Sequence, residues 1–99
     1  TERGVAVTIT PGTNQDAVAE HTFALILACA KSIVPQHQGT CALKWPRQAT
    51  IPLRGRTLGI AGLGRIGKSV AIRGAAFGMK LIAYEPFPDH AFAQAHGIT

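Results

Sequence analysis

The stretch GIAGLGRIGKS, residues 59–69, contains two overlapping phosphate-binding patterns. One is G-x-G-x-x-G, which is typical of dinucleotide-binding loops. The other is G-x-x-x-x-G-K-S, which includes Lys68 and Ser69 and is typical of nucleoside-triphosphate loops. The glycines of the first pattern are Gly62, Gly64 and Gly67. Because both kinds of loop follow a strand and open a helix, the stretch predicts a β-α unit and leaves the ligand to be decided by its surroundings.

The residues on both sides of the loop predict an α/β fold. TLGIA, residues 57–61, and KLIAY, residues 80–84, are short apolar runs typical of buried parallel strands. Between them we expect a helix from about Arg65 to Phe77, ended by Gly78 in the left-handed conformation. The side chains expected on its buried face are Ile66, Val70 and Phe77. The sequence therefore predicts a β-α-β unit with parallel strands.

The first half of the chain predicts a strand followed by a long helix. GVAVTITPG, residues 4–12, alternates apolar and small residues and then stops at a Pro-Gly turn. A helix from about Gln15 to Val34 follows, ended by Pro35. Its segment FALILACA is apolar around nearly the whole circumference, so we expect burial on all sides, against further sequence or a second subunit. Residues 35–56 predict an irregular excursion, with at most a short strand or turn.

Glu85 favours the dinucleotide interpretation of the loop. Such a site needs an acid about 20 residues past the loop, at the end of the second strand, to accept from the adenosine ribose. Glu85 follows Gly67 by 18 residues. A triphosphate site would need Lys68 at the phosphates, Ser69 on magnesium and an acid from another strand. On the dinucleotide interpretation those two residues are solvated, and the carboxylate favours NAD over NADP because it repels a 2′-phosphate.

Composition and charge narrow the class of protein. The chain has 99 residues, 46% of them hydrophobic and 15% charged, which is typical of a single globular domain or a part of one. The net charge is +5, but the basic residues are scattered, and aromatic residues are not interleaved with them as a base-stacking platform would need. We therefore expect a small anionic ligand and no nucleic acid. Because the chain starts at Thr1 within an apparent strand, we expect an internal fragment of a larger protein.

Two further classes of site are not expected. The longest apolar run, residues 23–30, is far shorter than a membrane span, and the first residues do not show the pattern expected of a signal peptide. Cys29, in the apolar helix, and Cys41, in the predicted loop, show no metal-ligand spacing with the histidines and are expected to be free thiols. The expected protein is cytoplasmic, with no membrane segment and no metal.

Three blocks of the sequence resemble, in order, the D-isomer-specific 2-hydroxyacid dehydrogenases. The blocks are TPGTNQDAVAEHTFALILA (residues 10–28), LRGRTLGIAGLGRIGKSVA (residues 53–71) and AAFGMKLIAYEP (residues 75–86). The resemblance covers nearly the whole chain. It implies that residues 1–13 end a substrate-binding domain and that residues 14–99 begin a Rossmann-type NAD-binding domain, entered by a long crossing helix. It also implies that this helix lies in the subunit interface of a homodimer.

The resemblance also assigns roles to residues of the chain. It implies that Arg65 and Ile66 contact the pyrophosphate and adenosine side of NAD, that Glu85 stands where an Asp is more usual, and that Asn14 faces the cofactor and substrate cleft. The expected cofactor-binding residues are Gly62, Gly64, Arg65, Ile66, Gly67, Glu85 and Asn14. The family's catalytic Arg, His and acidic residue lie beyond this sequence, so no catalytic residue is assigned.

The function expected from these observations is that of an NAD-dependent oxidoreductase. The parent protein would transfer hydride between the nicotinamide and C2 of a small D-2-hydroxy or 2-keto acid, while the isolated chain would be inactive. Two alternatives stay open at this point. One is a non-catalytic, corepressor-like dinucleotide sensor of the same fold, and the other is a P-loop nucleoside triphosphatase.

Overall fold

The fold is a small parallel sheet covered by helices, and the computed structural model describes residues 2–99. Thr1, the first residue of the predicted substrate-domain segment 1–13, lies outside the described residues. The elements in chain order are α1 (Gln15–Ala30), α2 (Ile33–Cys41), β1 (Thr57–Ala61), α3 (Arg65–Ala76), β2 (Lys80–Tyr84) and α4 (His90–Ala95).

The two strands are parallel and are joined by α3. Leu58 of β1 lies opposite Leu81 of β2 in the strand register. On the other edge of β2, Leu81 forms an isolated parallel bridge with Ile98, and the backbone N–H of Ala83 donates to the carbonyl of Thr99 at 2.8 Å. The predicted α/β class and the parallel β-α-β unit are confirmed, and residues 98 and 99 already pair along β2.

The core lies in two apolar clusters around α3. The first joins one stripe of α1 to α3, and its buried members are Ala19, Phe23, Leu53 and Val70. The second joins α3 to β2, and its buried members are Leu63, Ala71 and Leu81. Phe77, at the end of α3, stacks on Phe23 with 5.1 Å between ring centroids. These contacts fix the start of α3 relative to both α1 and the sheet.

The long helix ends earlier than its sequence predicts. α1 stops at Ala30, and Ser32 adopts a left-handed conformation with φ of 52° before α2 begins at Ile33. Pro35 is the third residue of α2, where a backbone N–H has no intrahelical partner, so proline is compatible with helix there. Gln36 Nε2 donates to the carbonyl of Lys31 at 2.7 Å, so this carbonyl at the C-terminal end of α1 has a hydrogen-bond donor. The predicted helix from Gln15 to Val34 was therefore wrong beyond Ala30.

Two other local predictions also differ from the structure. Residues 35–41, predicted to be irregular, belong to α2, and Cys41 ends that helix instead of lying in a loop. No strand is assigned to residues 5–10, and Val7 and Ile9 are exposed. Strand pairing needs a neighbouring strand. Within residues 2–99 the only strands are β1 and β2, which pair with each other.

The face of α3 that is buried differs in part from the expected one. Val70 is buried as predicted, but Ile66 and Phe77 are exposed to 42% and 41%. Ser69, expected to be solvated, is 6% exposed. Its hydroxyl donates to Asp16 Oδ1 at 2.7 Å and accepts from Arg73. The reason is that α1 packs along this side of α3 and brings its own acidic residues to it.

Much of α1 is not covered by the described residues. Ala19 and Phe23 are buried, whereas Leu25 is exposed to 56%. The expectation that this helix is buried on all sides therefore stays a prediction. No single helix among residues 2–99 is both long enough and apolar enough to cross a membrane. Only α1 and α2 taken together reach that length and apolarity, and the pair is bent by 59°.

Candidate functional site

The glycine loop turns sharply between β1 and α3. Gly62 has φ of +97°, a conformation that favours glycine, and its N–H donates to the carbonyl of Tyr84 at 2.8 Å. A Cβ on Gly67 would lie 2.1 Å from the carbonyl oxygen of Gly62, so only glycine fits there. Leu63, between the first two glycines, is buried against Leu81. The buried side chain of Leu63 therefore anchors the loop, and the lack of a side chain on Gly67 lets the loop backbone lie directly against the helix.

Gly64 is different, because the chain itself does not require a glycine there. It has φ of −73°, and a Cβ built on it would meet no atom within 4 Å. It is also the N-cap of α3, with no side chain capping that helix and no acidic residue in the first turn. The backbone N–H groups and the positive end of the helix dipole thus lie at an open surface, as an anionic ligand needs.

An open cleft of about 1000 Å³ brings most of the predicted site residues together. One wall is formed by residues 8–12 and Asn14, and the other by residues 58–62 and residues 64–67. Six of the seven predicted cofactor-binding residues line this cleft: Gly62, Gly64, Arg65, Ile66, Gly67 and Asn14. The exposure of Ile66, which the helical pattern placed on the buried face, is explained by its position in the cleft wall. Cofactor contact by these residues stays a prediction.

Glu85 does not line the cleft but is joined directly to the loop. The backbone N–H of Leu63 donates to Glu85 Oε2 at 2.7 Å, and the N–H of Phe87 donates to Oε1 at 3.2 Å. The side chain is partly buried at the end of β2. A partly exposed carboxylate could be hydrated by water alone. Because this one accepts a hydrogen bond from a loop N–H, it forms part of the hydrogen-bonded structure of the loop. The contact with the Leu63 N–H was not foreseen from the sequence.

The structure disfavours the nucleoside-triphosphate interpretation. Lys68 Nζ forms an ion pair with Asp89 Oδ2 and lies 5.0 Å from the centroid of the Phe92 ring. Ser69 is engaged with Asp16, on α1. The ammonium and the hydroxyl that would bind phosphate and magnesium are thus held by other side chains. The prediction that Lys68 and Ser69 are merely solvated was also wrong, because both connect α3 to neighbouring helices.

Asp89 is the one described residue with a clearly shifted pKa. The hydrogen bond from Lys68 lowers the pKa of its carboxyl below the usual value, and the N–H of Phe92, which donates at 3.0 Å, acts in the same direction. The contact with the Phe92 N–H has a sequence signal. Asp89 is an N-cap residue type and is followed by apolar residues, which together predict a helix start. Nothing in the sequence pattern indicated Lys68 as its partner.

Other kinds of site are not found among residues 2–99. No group of three or more His, Cys, Asp or Glu side chains in that range could hold a metal ion. Cys29 and Cys41 are both free and exposed. The Cys41 thiol lies 3.7 Å from His37 Nε2, one turn earlier on α2.

Comparisons with known proteins agree with this geometry. Residues 23–99 match the family model described as "D-isomer specific 2-hydroxyacid dehydrogenase, NAD binding domain". The chain is 41% identical to D-3-phosphoglycerate dehydrogenase of Archaeoglobus fulgidus over 99% of its length, and 45% identical to hydroxypyruvate reductase of Thermotoga maritima over 86%. The fold is similar to that of D-lactate dehydrogenase from Aquifex aeolicus in complex with NAD and lactic acid, with a TM-score of 0.87 and 34% identity over 99% of the chain.

The matched proteins are much longer than this chain. It spans 19% of the phosphoglycerate dehydrogenase, 28% of the hydroxypyruvate reductase and 30% of the D-lactate dehydrogenase. The similarity therefore concerns the region around the glycine loop, and the activities in the printed names are those of the longer proteins.

Proposed function

Because the chain belongs to the family of D-isomer-specific 2-hydroxyacid dehydrogenases, we propose that it is part of an enzyme that transfers hydride between NAD and C2 of a D-2-hydroxy or 2-keto acid. NAD is the cofactor of the matched domain. The observation that carries the proposal is the joining of the Glu85 carboxylate to the glycine loop, at the open N-terminus of α3. This supports a diphosphate site beside an acid that would accept from a ribose diol.

The start of α3 would hold the diphosphate of NAD. Its first-turn N–H groups are not capped by any side chain, and the space beside Gly64 is open. Uncapped N–H groups and the helix dipole together favour a bound anion. Arg65, exposed in the cleft wall, adds a positive charge at the same place. Backbone amides bind the diphosphate in this arrangement, and the residues around them keep the loop in shape.

Glu85 would bind the adenosine ribose. Its Oε2 is held by the Leu63 N–H at 2.7 Å, which leaves Oε1, with a weaker contact to Phe87, free to accept from a hydroxyl. Accepting from the ribose diol stabilises NAD, whereas the same carboxylate repels the 2′-phosphate of NADP. This supports a preference for NAD over NADP.

The chain supplies binding and orientation, and we propose that the groups acting on the substrate come from outside it. Bound NAD provides the hydride chemistry, while the protein positions the cofactor and excludes competing reactions. The residues 8–12 in the cleft wall and Asn14 border the space next to the glycine loop. We propose that they belong to the boundary between a substrate-binding domain and the NAD-binding domain, and that the isolated chain has no turnover.

The partly uncovered α1 supports a homodimer. Val18 and Leu25 are exposed to 36% and 56% although the helix is strongly apolar. Apolar side chains left exposed on such a helix are expected to be covered by further sequence or by a second subunit, and we propose that a second subunit covers part of them. In a sizing column the full-length protein is expected to elute as a dimer, and elution as a monomer would contradict this part of the proposal.

The central test is calorimetric titration of the full-length protein with NAD, NADP and ATP. We expect NAD to bind and NADP to bind more weakly. ATP should give no measurable heat of binding. The Glu85→Gln variant should bind NAD more weakly and discriminate less against NADP. Turnover of NADH with hydroxypyruvate or glyoxylate would then establish the dehydrogenase activity. Binding of NAD without turnover of any 2-keto acid would favour the sensor, and preferential binding of ATP would overturn the NAD site itself.

A further inference from the structure

The segment between β2 and α4, residues 85–89, is attached to the glycine loop at one end and to the start of α3 at the other. At the first end, Glu85 Oε2 accepts from the N–H of Leu63 at 2.7 Å. At the second end, Asp89 Oδ2 is paired with the ammonium of Lys68, which lies on the first turns of α3. The two contacts hold the segment against the loop and the start of the helix.

The second contact is more than a random surface ion pair. Lys68 and Asp89 have side chains exposed to only 31% and 46%, and the ammonium also lies over the Phe92 ring at 5.0 Å. The other carboxylate oxygen, Asp89 Oδ1, accepts from the N–H of Phe92 at 3.0 Å and caps α4. The Asp89 side chain therefore caps α4 through one carboxylate oxygen and connects α4 to α3 through the other.

This arrangement bears on the charge near the start of α3. An unpaired ammonium at Lys68 would be drawn towards any anion bound at the helix N-terminus and would favour a ligand with more negative charge. The pairing with Asp89 neutralises that ammonium and directs it to α4 instead. It also keeps the segment after Glu85 from moving away from the loop. Both effects act in favour of the ligand with the smaller charge.

We propose that Lys68 and Asp89 are positioning residues that hold residues 85–89 against the glycine loop and thereby strengthen the preference for NAD over NADP. The inference rests on the proposed NAD site and assigns these two side chains no contact with the substrate. They act through the Glu85 carboxylate and through the local charge.

Asp89→Asn is the most informative variant, because Asn keeps the cap on α4 while the negative charge is lost. It is compared in the full-length protein with Lys68→Gln and with the double variant. Lys68→Gln is expected to weaken NAD binding about three- to fivefold, in line with a partly exposed ion pair. Asp89→Asn should weaken it less, because the released ammonium attracts the bound anion. The double variant should bind no more weakly than the weaker single variant, because both remove the same contact. The ratio of NADP to NAD affinity should rise in Asp89→Asn, where Lys68 is released.

A second readout does not involve bound cofactor. In the cofactor-free protein, backbone amides of residues 85–89 should exchange with deuterium faster in both single variants. Lys68→Arg keeps the charge and the contact with Phe92. It should therefore show the wild-type exchange rate in residues 85–89 and the wild-type affinity for NAD. The matched control is Glu20→Gln, which breaks an ion pair between α1 and α3, Glu20 Oε1 to Arg73 Nη2 at 3.8 Å. It should leave the NAD affinity and the NADP to NAD ratio unchanged.

The outcomes separate this inference from the function it rests on. If the wild-type protein does not bind NAD, the proposed function fails and the inference fails with it. If Glu85→Gln weakens NAD binding while Lys68→Gln and Asp89→Asn bind both cofactors like wild type, only the inference is overturned. Additive losses in the double variant, or unchanged exchange of residues 85–89, would also overturn it.

Discussion

A Cβ atom on Gly67 would lie 2.1 Å from the carbonyl oxygen of Gly62, far inside any permitted contact. That oxygen belongs to the backbone of a turn that itself needs a positive φ, so it cannot give way as a side chain would. The separation between loop and helix is therefore set by the missing side chain of Gly67. This relationship leads to the first prediction.

Gly67→Ala should destabilise the protein strongly. Overpacking of this kind costs about 3 kcal/mol or more, because the loop or the helix must move. Thermal unfolding of the full-length protein measures the effect. Gly64→Ala is the matched control, since a Cβ there meets no atom within 4 Å. It should cost about 1 kcal/mol at most, because Ala is a poorer N-cap than Gly. Equal losses in the two variants would contradict this account of the loop.

Gly64→Ala should instead weaken NAD binding. The new methyl group would project into the open space at the start of α3, where the proposed diphosphate lies. We expect a roughly tenfold or greater rise in the Kd for NAD, measured by titration calorimetry. Lys68→Ala should have a smaller effect on the same Kd. The opposite ranking would favour a nucleoside-triphosphate site, in which that lysine binds phosphate directly.

The attachment of α4 should be sensitive to acid. Because Lys68, and then the Phe92 N–H, lower the pKa of Asp89 in the folded protein, the ionised carboxylate is favoured by folding. Its stabilising contribution is therefore fully present above the usual pKa of 3.8 and is lost as the pH falls through the lower folded-state value. Other carboxylates titrate in the same range, so the quantity to measure is the difference in Tm between wild type and Asp89→Asn. That difference should be positive near neutral pH, should shrink once the pH falls below 3.8, and should vanish below the lower folded-state pKa. A difference that grows in acid would contradict the assignment.

The parts of the fold that depend on local sequence could be predicted. The strands at residues 57–61 and 80–84, the helix between them and the turn at Gly78 follow from apolar runs and glycine positions. The glycines of the cleft could also be found from their spacing, whereas Arg65, Ile66 and Asn14 were assigned by the family resemblance. Glu85 was identified from its distance along the chain, and the structure joins it to the loop.

What could not be predicted depends on contacts between distant residues. Ser69 and Asp16 are 53 positions apart, and the burial of Ser69 follows only from the packing of α1 on α3. Lys68 and Asp89 are 21 positions apart and meet only after α4 has docked. The bend at Ser32 was missed for a different reason. Pro35 predicts the end of one helix, although proline is equally compatible with the first turn of the next.

The glycines of one short motif are therefore under two separate selective pressures. The positions of Gly62 and Gly67 are demanded by the chain's own backbone, and the position of Gly64 is left open by it. A descendant that lost the dinucleotide would be expected to retain the first two and to accumulate larger residues at the third. The state of that single position across diverging sequences would then serve as a historical record of whether the ligand was kept.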